Sequence, residues 1–143
     1  MRGDSLLNEN TDEIRLLQPA VLAFIGDAVF NLFVRERLVR KKRASSHQLH
    51  IDATRYVKAA SQSRIARELQ KDLNEDEAFI FRRGRNAKST TVPKNANLQD
   101  YHYATALEAV MGYLYLTHQK ERLDGFLERA ASIIERDETE NRP

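Results

Sequence analysis

Two acidic residues interrupt the two most apolar stretches of this 143-residue chain. Asp27 is the only charge in residues 20–30, and Glu108 is the only charge in residues 106–114. A helix that is apolar all round is normally buried, and a buried carboxylate is stable only when it is paired or binds a metal. The two acids therefore predict one polar site inside a helical core.

The chemistry that suits such a site is divalent metal binding. Mg²⁺ and Mn²⁺ prefer carboxylate oxygens, and Mg²⁺ usually takes one or two protein carboxylates together with water and phosphate oxygens. Gly26 and Gly112, beside the two acids, would let two helix backbones approach closely. The alternative is a pair of structural ion pairs, for which Arg15 and Arg35 are candidate partners. The residues alone leave both interpretations open.

A basic segment is the second feature with chemical potential. Residues 78–99 contain five cations and no acid, and they are rich in Asn, Ser and Thr. Cations mixed with neutral hydrogen-bond donors are typical of phosphate-binding surfaces, although a solvated loop is the alternative. The candidate phosphate ligands are Arg82, Arg83, Arg85, Asn86, Lys88 and Lys94. A second basic block, residues 35–43, carries six cations against one acid.

Composition narrows the class of protein. The net charge is +2, 41% of the residues are hydrophobic, and there is no cysteine, which excludes disulfides and thiolate metal sites. The longest apolar run, residues 19–34, is too short to span a bilayer comfortably, and the N-terminus lacks a signal-peptide core. We expect a cytoplasmic protein without membrane contact. No phosphate-binding glycine loop and no serine elbow occurs in the sequence.

The elements that must position these residues are predicted to be helices in one domain, 1–143, with its core over 19–134. Pro19 predicts the start of a helix that runs to about residue 40. Ser45 or Ser46 is expected to cap the next helix, and Ser61 or Ser63 to restart it. Asn74 and Glu77 have capping-box spacing.

The second half of the chain is predicted to hold one long loop between helices. Gly84 is expected to end the helix that Asn74 begins, and residues 85–98 are expected to form a loop. Asp100 is a candidate cap for a helix that reaches about residue 118. A last amphipathic helix follows, and residues 137–143 are expected to be disordered.

Two motifs in this arrangement resemble a known family. Residues 24–29, Phe-Ile-Gly-Asp-Ala-Val, resemble the signature helix of the ribonuclease III catalytic domain, whose aspartate binds metal. Residues 107–116 resemble that family's second acidic helix, whose glutamate also binds metal. Within the family, the resemblance is to the short bacterial branch, Mini-ribonuclease III, which lacks the double-stranded-RNA-binding domain. Residues 82–88 and 93–96 are similar to its basic loop.

The resemblance implies an all-α ribonuclease III endonuclease-domain fold and a helical homodimer in which Phe24 packs into the partner. It also implies a Mg²⁺-dependent endoribonuclease, with Mn²⁺ able to substitute, in which Asp27 and Glu108 are the catalytic metal ligands. The implied substrate is double-stranded RNA, namely the precursor of large-subunit (23S) ribosomal RNA, and a ribosomal protein is a candidate partner.

The chain departs from full-length ribonuclease III around the site. Ala20, Ala23 and Thr105 occupy positions where that family carries acids, so the number of metals stays open, and Thr105 is a candidate holder of a metal-bound water. Two other functions remain as alternatives. One is a catalytically inactive RNA-binding or ribosome-associated module on the same fold. The other is a helical DNA-binding regulator that uses residues 35–43.

Overall fold

A computed structural model describes residues 11–88, residue 94 and residues 96–140, with the backbone alone for 138–140. This part of the chain is helical and contains no strand, which confirms the all-α prediction. A short 3-10 helix, Gln70–Asp72, lies between the fourth and fifth α-helices. The α-helices are α1 (Thr11–Arg15), α2 (Pro19–Lys41), α3 (Ser46–Val57), α4 (Ala59–Leu69), α5 (Glu75–Asn86), α6 (Leu98–Leu116) and α7 (Lys120–Glu140).

Helix α6 lies at the centre of the molecule. It packs against α2, α4 and α5, and Leu107, Val110 and Leu114 have no exposed surface. Neighbours on several sides explain why residues 106–114 are apolar all round, because every face of the helix needs an apolar contact. Packing therefore fixes the positions of the side chains along most of α6.

Several predicted helix starts are confirmed. Helix α2 begins at Pro19, and α3 begins after Ser45. The hydroxyl oxygen of Ser45 accepts a hydrogen bond from the backbone N–H of Gln48 at 3.1 Å. Helix α5 has the predicted capping box, in which the Asn74 side chain and the Glu77 side chain each accept a bond from the other residue's backbone N–H. These caps satisfy donors that a helix start leaves unpaired.

The prediction that Gly84 ends α5 is wrong. The helix continues to Asn86, because Gly84 is packed against α6: a Cβ atom there would lie 2.8 Å from the Ala106 Cα. This glycine serves a close helix crossing, not a helix end. Arg85 and Asn86 are consequently helical and do not belong to a loop.

Three other boundaries differ from the sequence prediction. Helix α4 begins at Ala59, before either predicted serine. Helix α6 begins at Leu98 and is capped by Asn97, whose side chain accepts a bond from the Asp100 amide. Helix α7 runs to Glu140, so residues 137–140 are helical and the disorder predicted from 137 is wrong there. Residues 141–143 and the N-terminal 1–10 lie outside the described residues.

Among the helices that the structure describes, none combines the length and the hydropathy that crossing a membrane requires.

Candidate active site

Two glycines bring Asp27 next to Glu108. At the crossing of α2 and α6, a Cβ atom on Gly26 would lie 1.7 Å from the Glu108 carbonyl oxygen, and one on Gly112 would lie 2.0 Å from the Leu22 carbonyl oxygen. No other residue type fits either position without separating the helices. The close crossing holds the neighbouring Asp27 and the facing Glu108 in one place.

The two carboxylates lie close enough to share a hydrogen bond. Burial of Glu108, together with the hydrogen bond and the negative charge of Asp27, raises the pKa of the Glu108 carboxyl to about 8. An amide restrains each acid: Asn31 Nδ2 donates to Asp27 Oδ1 at 3.1 Å, and Gln62 Nε2 donates to Glu108 Oε2 at 3.4 Å. The site is thus two opposed acids, each held by a neutral donor.

The predicted burial of this site is wrong. Asp27 is exposed and Glu108 is half-buried, because none of the described elements covers the face of α2 that carries Asp27. Among the residues that the structure describes, the buried acids are Asp52 and Glu77, at 3% and 1% exposure, which sequence reasoning missed. The cationic partner of Glu77 lies far away in the sequence, and the partners of Asp52 are among many cations near it. The capping box of Glu77 was therefore the only feature of the sequence that indicated a contact for either acid.

The alternative of structural ion pairs for Asp27 and Glu108 is not what the structure contains. Arg15 pairs instead with Asp76 at 3.2 Å and lies over the Phe79 ring. Arg35 lines a cavity between α2 and α3. In the described part of the chain, no lysine or arginine forms an ion pair with either acid of the site.

Two opposed carboxylates without a cationic partner fit a divalent cation. In the part of the chain that the structure describes, no group of three or more acidic or histidine residues could hold a metal, so water and phosphate oxygens would have to complete the coordination. Thr105 is the candidate holder of a metal-bound water. Its hydroxyl donates to the Tyr101 carbonyl oxygen at 3.0 Å. Its oxygen lone pairs can still accept a bond from a water.

The predicted phosphate ligands divide into two groups. Arg82, Asn86, Lys88 and Lys94 are exposed and Arg85 is half-buried. Arg83 differs, because its Nη1 donates to the carbonyl oxygens of Arg15 and Leu17 at 3.1 and 3.0 Å. Arg83 therefore has a structural contact that its assignment as a phosphate ligand did not predict, since it ties the end of α1 to α5. The motif residues Pro93 and Asn95 lie outside the described residues.

Phe24 lies on an apolar surface of α2. Its side chain is 78% exposed, and Val21 and Leu32 on the same helix are 48% and 69% exposed. Tyr115 of α6 is also exposed. Exposed large apolar side chains on one helix are typical of a protein interaction surface.

The all-α domain with Asp27 and Glu108 at one helix crossing agrees with the ribonuclease III fold that the sequence resemblance implies. The model of the "Ribonuclease III domain" family matches residues 20–119, and the chain belongs to that family.

Relatives within this family are similar over most of the chain. The chain is 44% identical over 124 residues to Mini-ribonuclease 3 of Clostridium tetani, covering 86% of this chain and 82% of the relative. It is 46% identical over 119 residues to Mini-ribonuclease 3 of a Thermoanaerobacter species, covering 83% and 84%. The crystal structure of a Fusobacterium nucleatum protein matches with a TM-score of 0.76 and 30% identity, covering 84% of this chain and 96% of that one.

Proposed function

We propose that this protein is a metal-dependent endoribonuclease that hydrolyses phosphodiester bonds in double-stranded RNA. The observation that carries the proposal is the Asp27/Glu108 pair, in which acids from two helices oppose each other with no cation from the described residues between them. Membership of the ribonuclease III family and similarity to proteins named Mini-ribonuclease 3 support the reaction class.

Asp27 and Glu108 are the residues that would hold Mg²⁺, with Mn²⁺ as a substitute. When bound, the ion supplies Lewis-acid chemistry: it polarises the scissile phosphate and lowers the pKa of an attacking water. The contribution of this chain is orientation. The Gly26 crossing fixes the separation of the two acids, and Asn31 holds Asp27 by donating to its Oδ1.

Basic side chains in the second half of α5 and just after it would hold the RNA backbone. The deep major groove of an RNA duplex is poorly accessible to side chains, so recognition is mainly by shape and phosphate contact. The proposed phosphate ligands are Arg82, Arg85, Asn86, Lys88 and Lys94, and Arg83 is assigned a structural role.

The working unit would be a homodimer in which the apolar surface of α2 is buried against a second copy. A dimer would place two active sites on one duplex, one for each strand. We expect sedimentation or light scattering to give twice the chain mass at micromolar concentration, and Phe24→Ala to weaken the dimer, since a buried aromatic anchor can contribute several kcal/mol. A monomeric wild type at that concentration would refute the dimer.

The natural substrate would be the precursor of large-subunit ribosomal RNA in the cytoplasm, with a ribosomal protein as a candidate partner. This part of the proposal is supported by the family resemblance alone. It is tested by mapping the ends of 23S ribosomal RNA in cells that lack the protein, where unprocessed ends should accumulate. Mature ends in those cells would assign the enzyme to another RNA.

The central experiment incubates the purified protein with duplex RNA, single-stranded RNA and duplex DNA, with Mg²⁺ or with a chelator. We expect cleavage of duplex RNA only, only with Mg²⁺, and none by Asp27→Asn. Binding of duplex RNA without cleavage under any divalent ion would instead identify an inactive RNA-binding module.

A further inference from the structure

Gln62 is a buried polar side chain beside the candidate site. It belongs to the first turn of α4, just after the bend at Lys58 where α3 ends. Its side chain is only 4% exposed. Glutamine is rarely buried to this extent without a specific hydrogen-bonding role.

The amide nitrogen of Gln62 joins two parts of the molecule. Nε2 donates to the Val57 carbonyl oxygen at 2.9 Å, at the end of α3, and to Glu108 Oε2 at 3.4 Å, on α6. The Val57 carbonyl can only accept a hydrogen bond, so the amide must face it with its nitrogen. This orientation leaves Gln62 Oε1 buried and without a hydrogen-bond partner within the described residues. A space-filling role would be met better by an apolar side chain, which has no acceptor to leave unsatisfied.

The neighbouring Ser61 shows what a purely structural role looks like here. Its hydroxyl donates to the Arg55 carbonyl oxygen, which satisfies an acceptor at the end of α3. The bond from Gln62 to Val57 does the same for a second carbonyl. The bond from Gln62 to Glu108 has no counterpart in Ser61, and capping of α3 does not account for it.

We infer that Gln62 is a positioning residue that holds the Glu108 carboxylate in the orientation in which it binds the divalent cation. This inference rests on the proposed function. The amide of Gln62 donates to one oxygen of Glu108, Oε2, just as Asn31 donates to one oxygen of Asp27, Oδ1, so each carboxylate is restrained from one side. Partners that orient a metal ligand typically contribute 10- to 100-fold to metal affinity.

The test measures Mn²⁺ binding by calorimetry to the metal-free, full-length protein without RNA. Gln62→Met keeps the length and removes the amide, and we expect it to weaken the Mn²⁺ Kd about 10-fold. The Mg²⁺ concentration for half-maximal cleavage should rise by a similar factor, with kcat at saturating Mg²⁺ largely retained. Ser61→Ala is the matched control, expected to lower the Tm and to leave the Kd unchanged.

A wild-type Kd in Gln62→Met, with a Tm lowered as in Ser61→Ala, would overturn the inference and leave Gln62 as a cap of α3. If Gln62→Met does not fold, Gln62→Asn, which keeps the amide but cannot span both acceptors, is judged by the same Kd criterion. A wild type that neither binds Mn²⁺ nor cleaves RNA would refute the proposed function itself. A wild type that cleaves with Mg²⁺, beside an unaffected Gln62 variant, would refute the inference alone.

Discussion

The two acids at the α2–α6 crossing lie beside each other. The acids that join α7 to the other helices lie beside cations. Glu135 of α7 accepts hydrogen bonds from Arg37, Lys41 and Tyr56. The bonds from Arg37 outweigh burial and lower the pKa of Glu135 to about 2. At the crossing, burial and a second acid instead raise the pKa of Glu108 to about 8.

Glu77 repeats the pattern of Glu135. Burial alone would raise its pKa, but hydrogen bonds from Arg122 and Asn74 outweigh burial and lower it. The comparison teaches that burial of an acid does not identify a functional site. The informative feature is a carboxylate whose partner is another carboxylate, because such a pair is unfavourable until a cation joins it.

The strongest test of this contrast is loss of charge at the site. Asp27→Asn and Glu108→Gln should each lower kcat for duplex RNA by at least about 10³-fold, the scale of losing one member of a catalytic unit. The double variant should be little worse than either single one. Circular dichroism should show an unchanged fold. Small, multiplicative losses would mean that the two acids act separately.

A pair of glycine variants distinguishes the effect of the close helix crossing from the effect of helix propensity. Gly26→Ala should destabilise the protein by several kcal/mol and abolish cleavage, since its Cβ would meet the Glu108 backbone at 1.7 Å. Gly125→Ala, on α7, is the control, because a Cβ there meets nothing within 4 Å. The control should raise stability by about 0.5–1 kcal/mol. Equal effects on the Tm would contradict the close crossing.

Removal of an acid that is paired with a cation should lower stability and leave activity intact, the opposite of charge loss at the site. Glu135→Gln is expected to lower the free energy of unfolding by about 2–3 kcal/mol at pH 7 and to leave kcat unchanged below the Tm. Because the folded pKa is lowered, the stabilisation is present above the unfolded pKa near 4.5 and is lost as the pH falls toward 2. Denaturant titrations across pH should show the difference shrinking at acid pH, and a constant difference would contradict the ion-pair origin.

The cations at the end of α5 and just after it differ from one another in the same way. Replacing Arg82, Arg85 and Lys88 with Ala should weaken duplex RNA binding and flatten its log–log salt dependence by about one unit per lost phosphate contact, with a nearly unchanged Tm. Arg83→Ala should lower the Tm instead, because Arg83 donates to backbone carbonyls. An unchanged salt slope in the triple variant would move the RNA surface elsewhere, with residues 35–43 as the next candidate.

The smallest expected effect is a gain in stability. In metal-free buffer, Glu108→Gln should raise the Tm by a few degrees at pH 8 or above. The folded pKa of Glu108 is raised to about 8, so the wild type loses stability as the pH rises from about 4.5 through 8, and the gain should vanish near pH 4.5. A gain that does not depend on pH would contradict the coupling of the two acids.

The sequence predicted the helices best where a local signal decides them. Pro19, Ser45 and the Asn74/Glu77 capping box each act within one helical turn, and each was confirmed. Gly84 does not end α5 as its local pattern predicts, because its role depends on Ala106 of another helix. A glycine at a helix crossing and a glycine at a helix end have the same local pattern.

The site shows the same division. The apolar surroundings and the spacing of Asp27 and Glu108 predicted that they meet, but not that Asp27 is exposed. Its exposure follows from a face of α2 that no described residue covers. Gln62 and the structural use of Arg83 were missed, because both depend on contacts between distant segments. Tertiary neighbours of this kind leave no periodic trace in a sequence.

The measurement that tests the central claim most directly is an anomalous difference map from crystals grown or soaked with Mn²⁺. We expect a peak between α2 and α6, with one oxygen of Asp27 and one of Glu108 at about 2.0–2.3 Å, near the distances typical of Mg²⁺ sites. In Asp27→Asn crystals treated in the same way, the peak should disappear. A Mn²⁺ peak elsewhere and none between the two acids would contradict a metal site at Asp27 and Glu108. A lysine or arginine of either copy that lies between the two acids would contradict it as well.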